Sequence, residues 1–149
     1  MPRRVREARP GPVLLDTHVW VWLMEGVAGR MSPRCLAVIR AATGEGRLFV
    51  SPISVWEVAM LVAKGRLALR RDVRSWVSEA IGMEGLRLAA LTADVALDGG
   101  LLPGTARGDP ADRLLIATAR GLDATLITRD RATLAYGAAG HVLVLDAGA

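Results

Sequence analysis

Asp109-Pro110-Ala111-Asp112-Arg113-Leu114-Leu115-Ile116-Ala117-Thr118-Ala119-Arg120-Gly121-Leu122-Asp123-Ala124-Thr125-Leu126-Ile127-Thr128-Arg129-Asp130 reads as helix, turn, strand, and this reading decides the fold. Asp109 can cap the helix, with Pro110 at the first helical position, where a missing N–H costs nothing. Leu114, Leu115, Thr118 and Ala119 form a small apolar face at helical spacing, and Gly121 is expected to stop the helix. Ala124 to Ile127 is a short apolar run suited to a buried strand. The chain leaves that strand at Thr128 and meets Asp130 at once. Acids therefore fall at the start of a helix and just past the carboxyl end of a strand, the rim where open α/β sheets bind ligands.

Outward from this stretch the same arrangement recurs. Val13-Leu14-Leu15 is a strand candidate followed directly by Asp16, and Asp16 or Thr17 can cap a helix from His18 to about Glu25. Ser32-Pro33 opens a second helix, which Gly44-Glu45-Gly46 ends, and Leu48-Phe49-Val50 is the second strand. Ser51-Pro52 repeats the Ser-Pro start for a helix to about Lys64, with Ile53, Trp56, Ala59, Met60 and Ala63 at helical spacing. Asp72 starts a helix through Trp76 and Ile81, Leu86 to Leu91 reads as the third strand, and Thr92 caps a short helix from Ala93 to about Leu97. Residues 99–104 read as a loop. After Asp130 come a short helix through Leu134 and Tyr136, a turn at Gly137-Ala138-Ala139-Gly140, and a last strand at 142–145. The order β-α-α-β-α-α-β-α-α-β-α-β predicts a parallel sheet covered on both faces, with strand ends on one side.

At 149 residues the chain is read as one domain with a real core. A hydrophobic content of 52% excludes a disordered chain, yet charges or Gly interrupt every apolar run before about 18 residues, so no membrane span is expected. Residues 1–12, with four arginines and three prolines, are expected to form an unpacked basic tail, for which a start codon placed too early would account. The domain proper is read as 13–149. No secretory signal is visible, and a single cysteine, Cys35, excludes an internal disulfide and a cysteine-based zinc site; a reducing cytoplasm is expected. Net charge is +4, and every basic residue except Lys64 is arginine. Arginine binds phosphate in a fork, which makes nucleic acid a plausible partner, although GC-rich coding also gives an Arg-, Ala- and Gly-rich chain.

Asp16, Asp112 and Asp130 are thus candidates for one acidic cluster at the carboxyl edge of the sheet. Glu57 joins them from a neighbouring helix, where a carboxylate among Trp56 and Val58 is expensive unless paired. A capping box from Ser54 to Glu57 is the competing reading, but Pro52 moves the cap to Ser51; an exposed helix flank is the other. Asp109 lies one turn before Asp112. His18 and His141 lack ligand spacing and read as structural or surface residues. Several carboxylates in one cleft must protonate or be neutralised by a cation, and hard oxygen donors select Mg²⁺ or Mn²⁺. Such a site can activate water and clamp a phosphodiester for in-line displacement, with Arg113, Arg129 and Arg131 near the rim to hold a nucleic-acid backbone. Phosphoacceptor domains and haloacid-dehalogenase-like phosphatases also place aspartates at strand ends. The first needs a late lysine, and the only lysine is Lys64; the second needs Asp-x-Asp where this chain has Asp16-Thr17-His18.

Leu14-Leu15-Asp16-Thr17-His18, Ser51-Pro52-Ile53-Ser54-Val55-Trp56-Glu57, Asp109-Pro110-Ala111-Asp112-Arg113-Leu114-Leu115-Ile116-Ala117 and Leu126-Ile127-Thr128-Arg129-Asp130 resemble, in order, the four acidic motifs of PIN-domain ribonucleases. More narrowly, the chain resembles the VapC toxins of bacterial type II toxin–antitoxin pairs from Val13 to about Leu145. The resemblance implies a PIN-like three-layer α/β/α sandwich with a parallel sheet of about five strands. It implies Mg²⁺- or Mn²⁺-dependent endoribonuclease activity, with the four acids on Asp16, Glu57, Asp112 and Asp130 and the supporting hydroxyl on Thr128. Asp109 belongs to the Asp-Pro-x-Asp-Arg form of the third motif and either binds metal or caps the helix. An RNA substrate, a cognate antitoxin protein and a homodimer are the implied partners, with helices carrying Trp20, Trp22, Trp56 and Met60 as candidate surfaces. A PIN-like module that binds RNA or protein without cutting is the alternative.

Overall fold

The computed structural model describes residues 10–104 and 108–149. Most of the expected basic tail, and part of the loop before Asp109, lie outside the described residues. Gly11 and Pro12, assigned to the tail by composition, are already tied to the sheet. The Gly11 carbonyl accepts from the Arg47 guanidinium at 2.6 Å and the Pro12 carbonyl from the Thr125 N–H at 2.9 Å.

Five short strands, β1 (Val13–Leu15), β2 (Leu48–Val50), β3 (Leu86–Leu88), β4 (Thr125–Thr128) and β5 (Val144–Asp146), form one parallel sheet in the order β3-β2-β1-β4-β5. Alternation along β1 divides the core in two. Val13 and Leu15 face one side with Leu48, Val50 and Ile127, under α1 (Thr17–Met24), α2 (Pro33–Gly44), α3 (Pro52–Ala63) and α4 (Val73–Ile81). Leu14 and Leu126 face the other with Leu115, Ile116 and Tyr136, under α5 (Ala93–Gly100), α6 (Pro110–Leu122) and α7 (Arg131–Ala138). Leu14, Leu15, Leu126 and Ile127 are at most 1% exposed, so each contributes about 1.5–3 kcal/mol of burial. The result is the expected three-layer α/β/α sandwich, and the element order matches the reading from sequence once the short 3-10 turn at Ala28–Arg30 is set aside.

Chain connectivity places the site. From β1 the chain winds outward through β2 to β3, then returns to lay β4 on the other side of β1. The register Leu14↔Leu126 and Leu15↔Ile127 brings the carboxyl ends of β1 and β4 side by side, where the winding direction reverses. An open parallel sheet has its natural crevice at that point, because the helices leaving the two strands go to opposite faces.

Several element ends differ from expectation. Helix α5 continues through Gly99 and Gly100 instead of ending near Leu97. A Cβ at Gly99 would stand 3.1 Å from a Leu114 methyl, so the missing side chain lets α5 lie close against α6. Gly121 does not stop α6; the stop is Asp123, in the left-handed region at φ 51°, which Asp tolerates better than most residues. Strand β3 is three residues rather than six, and β5 starts two residues late, after Val142 has packed into the second core cluster.

Candidate active site

The helices that follow the strands at the switch point begin with acids. Asp16 caps α1: its Oδ1 accepts the Thr17 N–H at 2.7 Å. Asp130 caps α7, its Oδ2 accepting both the N–H (2.9 Å) and the hydroxyl (2.7 Å) of Thr133. Asp109 caps α6, its Oδ1 accepting the Asp112 N–H at 2.9 Å, as the cap reading expects. A carboxylate at these positions satisfies orphan N–H groups and meets the positive end of a helix dipole, which offsets part of the repulsion between the acids.

Two buried threonines fix the geometry further. Thr128, at the end of β4, donates its hydroxyl to Asp16 Oδ2 at 2.6 Å and accepts the Asp130 N–H at 2.9 Å, linking the two strand ends. Thr17, 1% exposed, has its hydroxyl 2.7 Å from Glu57 Oε1 and 2.8 Å from the Ser54 hydroxyl. Ser51, not Ser54, caps α3, as Pro52 requires, so Ser54 and Glu57 sit inside the helix and face α1.

Asp16, Glu57, Asp109, Asp112 and Asp130 all line one open cleft of about 360 Å³. Burial raises the pKa of Asp16, against the lowering pull of its bonds to Thr128 and Thr17. Glu57 is likewise raised, by burial first and then by the charges of Asp16 and Asp109, with the Thr17 bond opposing. Asp112 is pushed up to about 7, by burial first and then by Asp109, Asp16, Asp130 and Glu57. The hydrogen bonds among the described residues give its carboxylate no partner.

Hard oxygen donors in this number fit a divalent cation rather than a soft metal. Among the described residues, however, no three acidic, histidine or cysteine side chains stand in an arrangement that could hold a metal ion by itself. The carboxylates share a cleft without closing on one point. That suits a cation that keeps several waters and takes few protein ligands, as Mg²⁺ does.

Of the arginines assigned to the rim, only Arg129 lines the cleft. Arg113 turns to α5, where its guanidinium donates to the Gly99 carbonyl at 3.0 Å and the Gly100 carbonyl at 3.3 Å. Arg131 is exposed on the first turn of α7 and is not part of the cleft wall. His18, set aside in the sequence as structural or surface, is exposed but at the mouth of the cleft, with Trp22 beside it. Its i, i+4 spacing to Trp22 on the helix that Asp16 caps was the available clue. His141 lies elsewhere, stacked on Tyr136 at 4.6 Å. Trp20 is buried in the core, whereas Trp56 is 55% exposed. No helix among the described residues is long and apolar enough to cross a membrane.

Comparison with known proteins agrees with this arrangement. Residues 13–138 match the PIN domain family. Ribonuclease VapC22 of Mycobacterium tuberculosis is 37% identical over 119 residues, covering 80% of this chain and 87% of that protein. Among solved structures, VapBC2 from Rickettsia felis bound to a fragment of its promoter DNA superposes with a TM-score of 0.64 at 16% identity, over 89% of this chain and 96% of that one. FitAcB from Neisseria gonorrhoeae superposes with a TM-score of 0.58 at 23% identity, over 90% and 96%. At those identities the structural likeness is one of fold, whereas the sequence match is direct: the chain belongs to the PIN-domain family, with a VapC ribonuclease among its relatives.

Proposed function

We propose that this protein is a divalent-cation-dependent endoribonuclease, the toxin of a toxin–antitoxin pair, which hydrolyses RNA phosphodiester bonds in the acidic cleft. The observation that carries this reading is Asp112: a carboxylate raised to about 7 among four others, with no hydrogen-bond partner among the described residues. Such a group is costly to the fold unless a cation joins it. A relative named as a ribonuclease, and a structural neighbour, VapBC-5 from Mycobacterium tuberculosis, named as a member of the VapBC family of toxin–antitoxin systems, support the choice of RNA and of an antitoxin partner.

In this reading Asp16, Glu57, Asp112 and Asp130 would hold Mg²⁺ or Mn²⁺, in part through waters the cation keeps, and Asp109 serves chiefly as the cap of α6. When bound there, a divalent cation would supply Lewis acidity and a more acidic water. The chain's own residues do the rest. Thr128 holds Asp16 and the Asp130 backbone in register, and Thr17 holds Glu57 toward the cleft. Arg129 offers the wall's guanidinium to a phosphate. A cognate antitoxin belongs to the same reading, and of the candidate surfaces named from the sequence Trp56 is the exposed one, whereas Trp20 is buried. A homodimer and a cytoplasmic location belong to the same reading.

One observation favours a second reading, a PIN-like module that binds RNA or protein without cutting: the carboxylates do not close on one point. Cleavage of total RNA by the purified protein, with and without Mn²⁺ and beside Asp112→Asn, decides between them. Discrete fragments that need Mn²⁺ and vanish in the variant are expected. RNA bound but uncut by the wild type would support the module, and equal cleavage by both proteins would place the chemistry elsewhere.

A further inference from the structure

The acidic cleft has an aromatic wall that the proposed chemistry leaves unused. His18 and Trp22 are one turn apart on α1 and both line the cleft. Their rings meet edge-to-face, with centroids 6.4 Å apart and planes at 68°, within the preferred range for aromatic pairs. Trp22 is itself braced. It packs against the core cluster under α1 and carries the Arg30 guanidinium 5.6 Å from its ring centroid. His18 is therefore an exposed ring backed by a fixed stack, two residues from Asp16.

A wall of five carboxylates repels a polyanion. Even with a cation at the scissile phosphate, the rest of the substrate has to be held by contacts that need no phosphate charge. Single-stranded RNA offers such contacts through its unstacked bases, which stack on His, Phe, Tyr or Trp rings. We infer that His18, propped by Trp22 and Arg30, is a stacking platform for a nucleobase of single-stranded RNA that flanks the phosphodiester in the acidic cleft. The inference rests on the ribonuclease reading above and names how that substrate is positioned. His18 is a substrate-positioning residue here, and the face of its ring, not its proton, does the work.

The test compares binding of fluorescein-labelled decaadenylate with a labelled abasic ribose-phosphate decamer, by anisotropy in EDTA. His18 is exposed, so its variants are expected to fold, and circular dichroism checks this. The wild type is expected to bind decaadenylate about tenfold more tightly than the abasic strand, the size of one stacked base. His18→Ala should remove that ratio, His18→Phe should keep it, and Trp22→Ala should reduce it, with abasic binding unchanged in all three. In Mn²⁺-dependent cleavage, His18→Ala should raise KM while His18→Phe leaves both KM and kcat near the wild type. An unchanged ratio in His18→Ala, a wild type that does not discriminate, or a His18→Phe variant as impaired as His18→Ala would overturn the platform. If RNA is still cut in a Mn²⁺-dependent way in any of those cases, the platform alone has failed. Absence of both binding and cleavage in the wild type would remove the ribonuclease reading with it.

Discussion

Asp16 uses both carboxylate oxygens on the protein itself, one on the Thr17 N–H that starts α1 and one on the Thr128 hydroxyl. Cap and cleft acid, which compete as readings of a sequence, are one role in the folded chain, and the same holds for Asp109 and Asp130. Strand-end acids were therefore legible from local spacing alone. What holds Glu57 was not. The Thr17 hydroxyl meets Glu57 and Ser54 across some 40 residues of sequence, and no local pattern encodes that contact. Thr17→Val tests it. The swap keeps the shape and leaves the buried Ser54 hydroxyl and the half-buried Glu57 carboxylate each short of a hydrogen bond, so the fold should lose about 1–3 kcal/mol in urea titration. RNA cleavage should fall with it, and Mn²⁺ should stabilise the variant less than it stabilises the wild type. The lone carboxylate of Asp112 also escaped the sequence, because absence of a partner is a property of space and not of spacing.

Element types and their order follow from the Ser-Pro and Asp-Pro starts and from short apolar runs, and the structure keeps nearly all of them. Ends were less legible, for a consistent reason. Glycine content marks residues 99–104 as a loop and Gly121 as a stop, but Gly99 and Gly121 both lie inside helices, Gly99 because α6 approaches closely there. A break signal read from one residue cannot anticipate a neighbour packing against it. Helix α6 carries the most direct test of the cap. Asp109→Asn keeps a good N-cap and should leave thermal stability nearly unchanged, whereas Asp109→Ala should cost about 1 kcal/mol. With Asp109 acting chiefly as a cap, Asp109→Asn should also retain most Mn²⁺-dependent cleavage. Loss of cleavage in a fully stable Asp109→Asn would make it a metal ligand instead.

At the scale of the molecule, strand order decides that four acids spread over more than a hundred residues share one cleft. A parallel α/β sandwich was predictable from alternating elements, but the order β3-β2-β1-β4-β5 was not, since the β1–β4 pairing joins the two ends of the chain. The cleft also stores unfavourable charge, and this gives the whole fold a pH dependence. Asp112 stands near 7 folded against an ordinary value of 3.8, with Asp16 and Glu57 raised in the same sense. Between those values the folded chain holds a proton that the unfolded chain has released, so this contribution to stability falls as pH rises from about 4 to about 7. Solvent screening at half-buried carboxylates reduces the effect. In EDTA, Tm should therefore be a few degrees lower at pH 8 than at pH 5.5, and Asp112→Asn should flatten the difference. The central claim, that these carboxylates await a cation, is tested most directly by calorimetric titration of Mn²⁺ into metal-free protein and into Asp112→Asn. Binding is predicted at pH 7.5, much weaker binding at pH 5.5, where protons compete for the same carboxylates, and loss of binding in the variant. Equal Mn²⁺ affinity in the two proteins, or none in the wild type at pH 7.5, would contradict it.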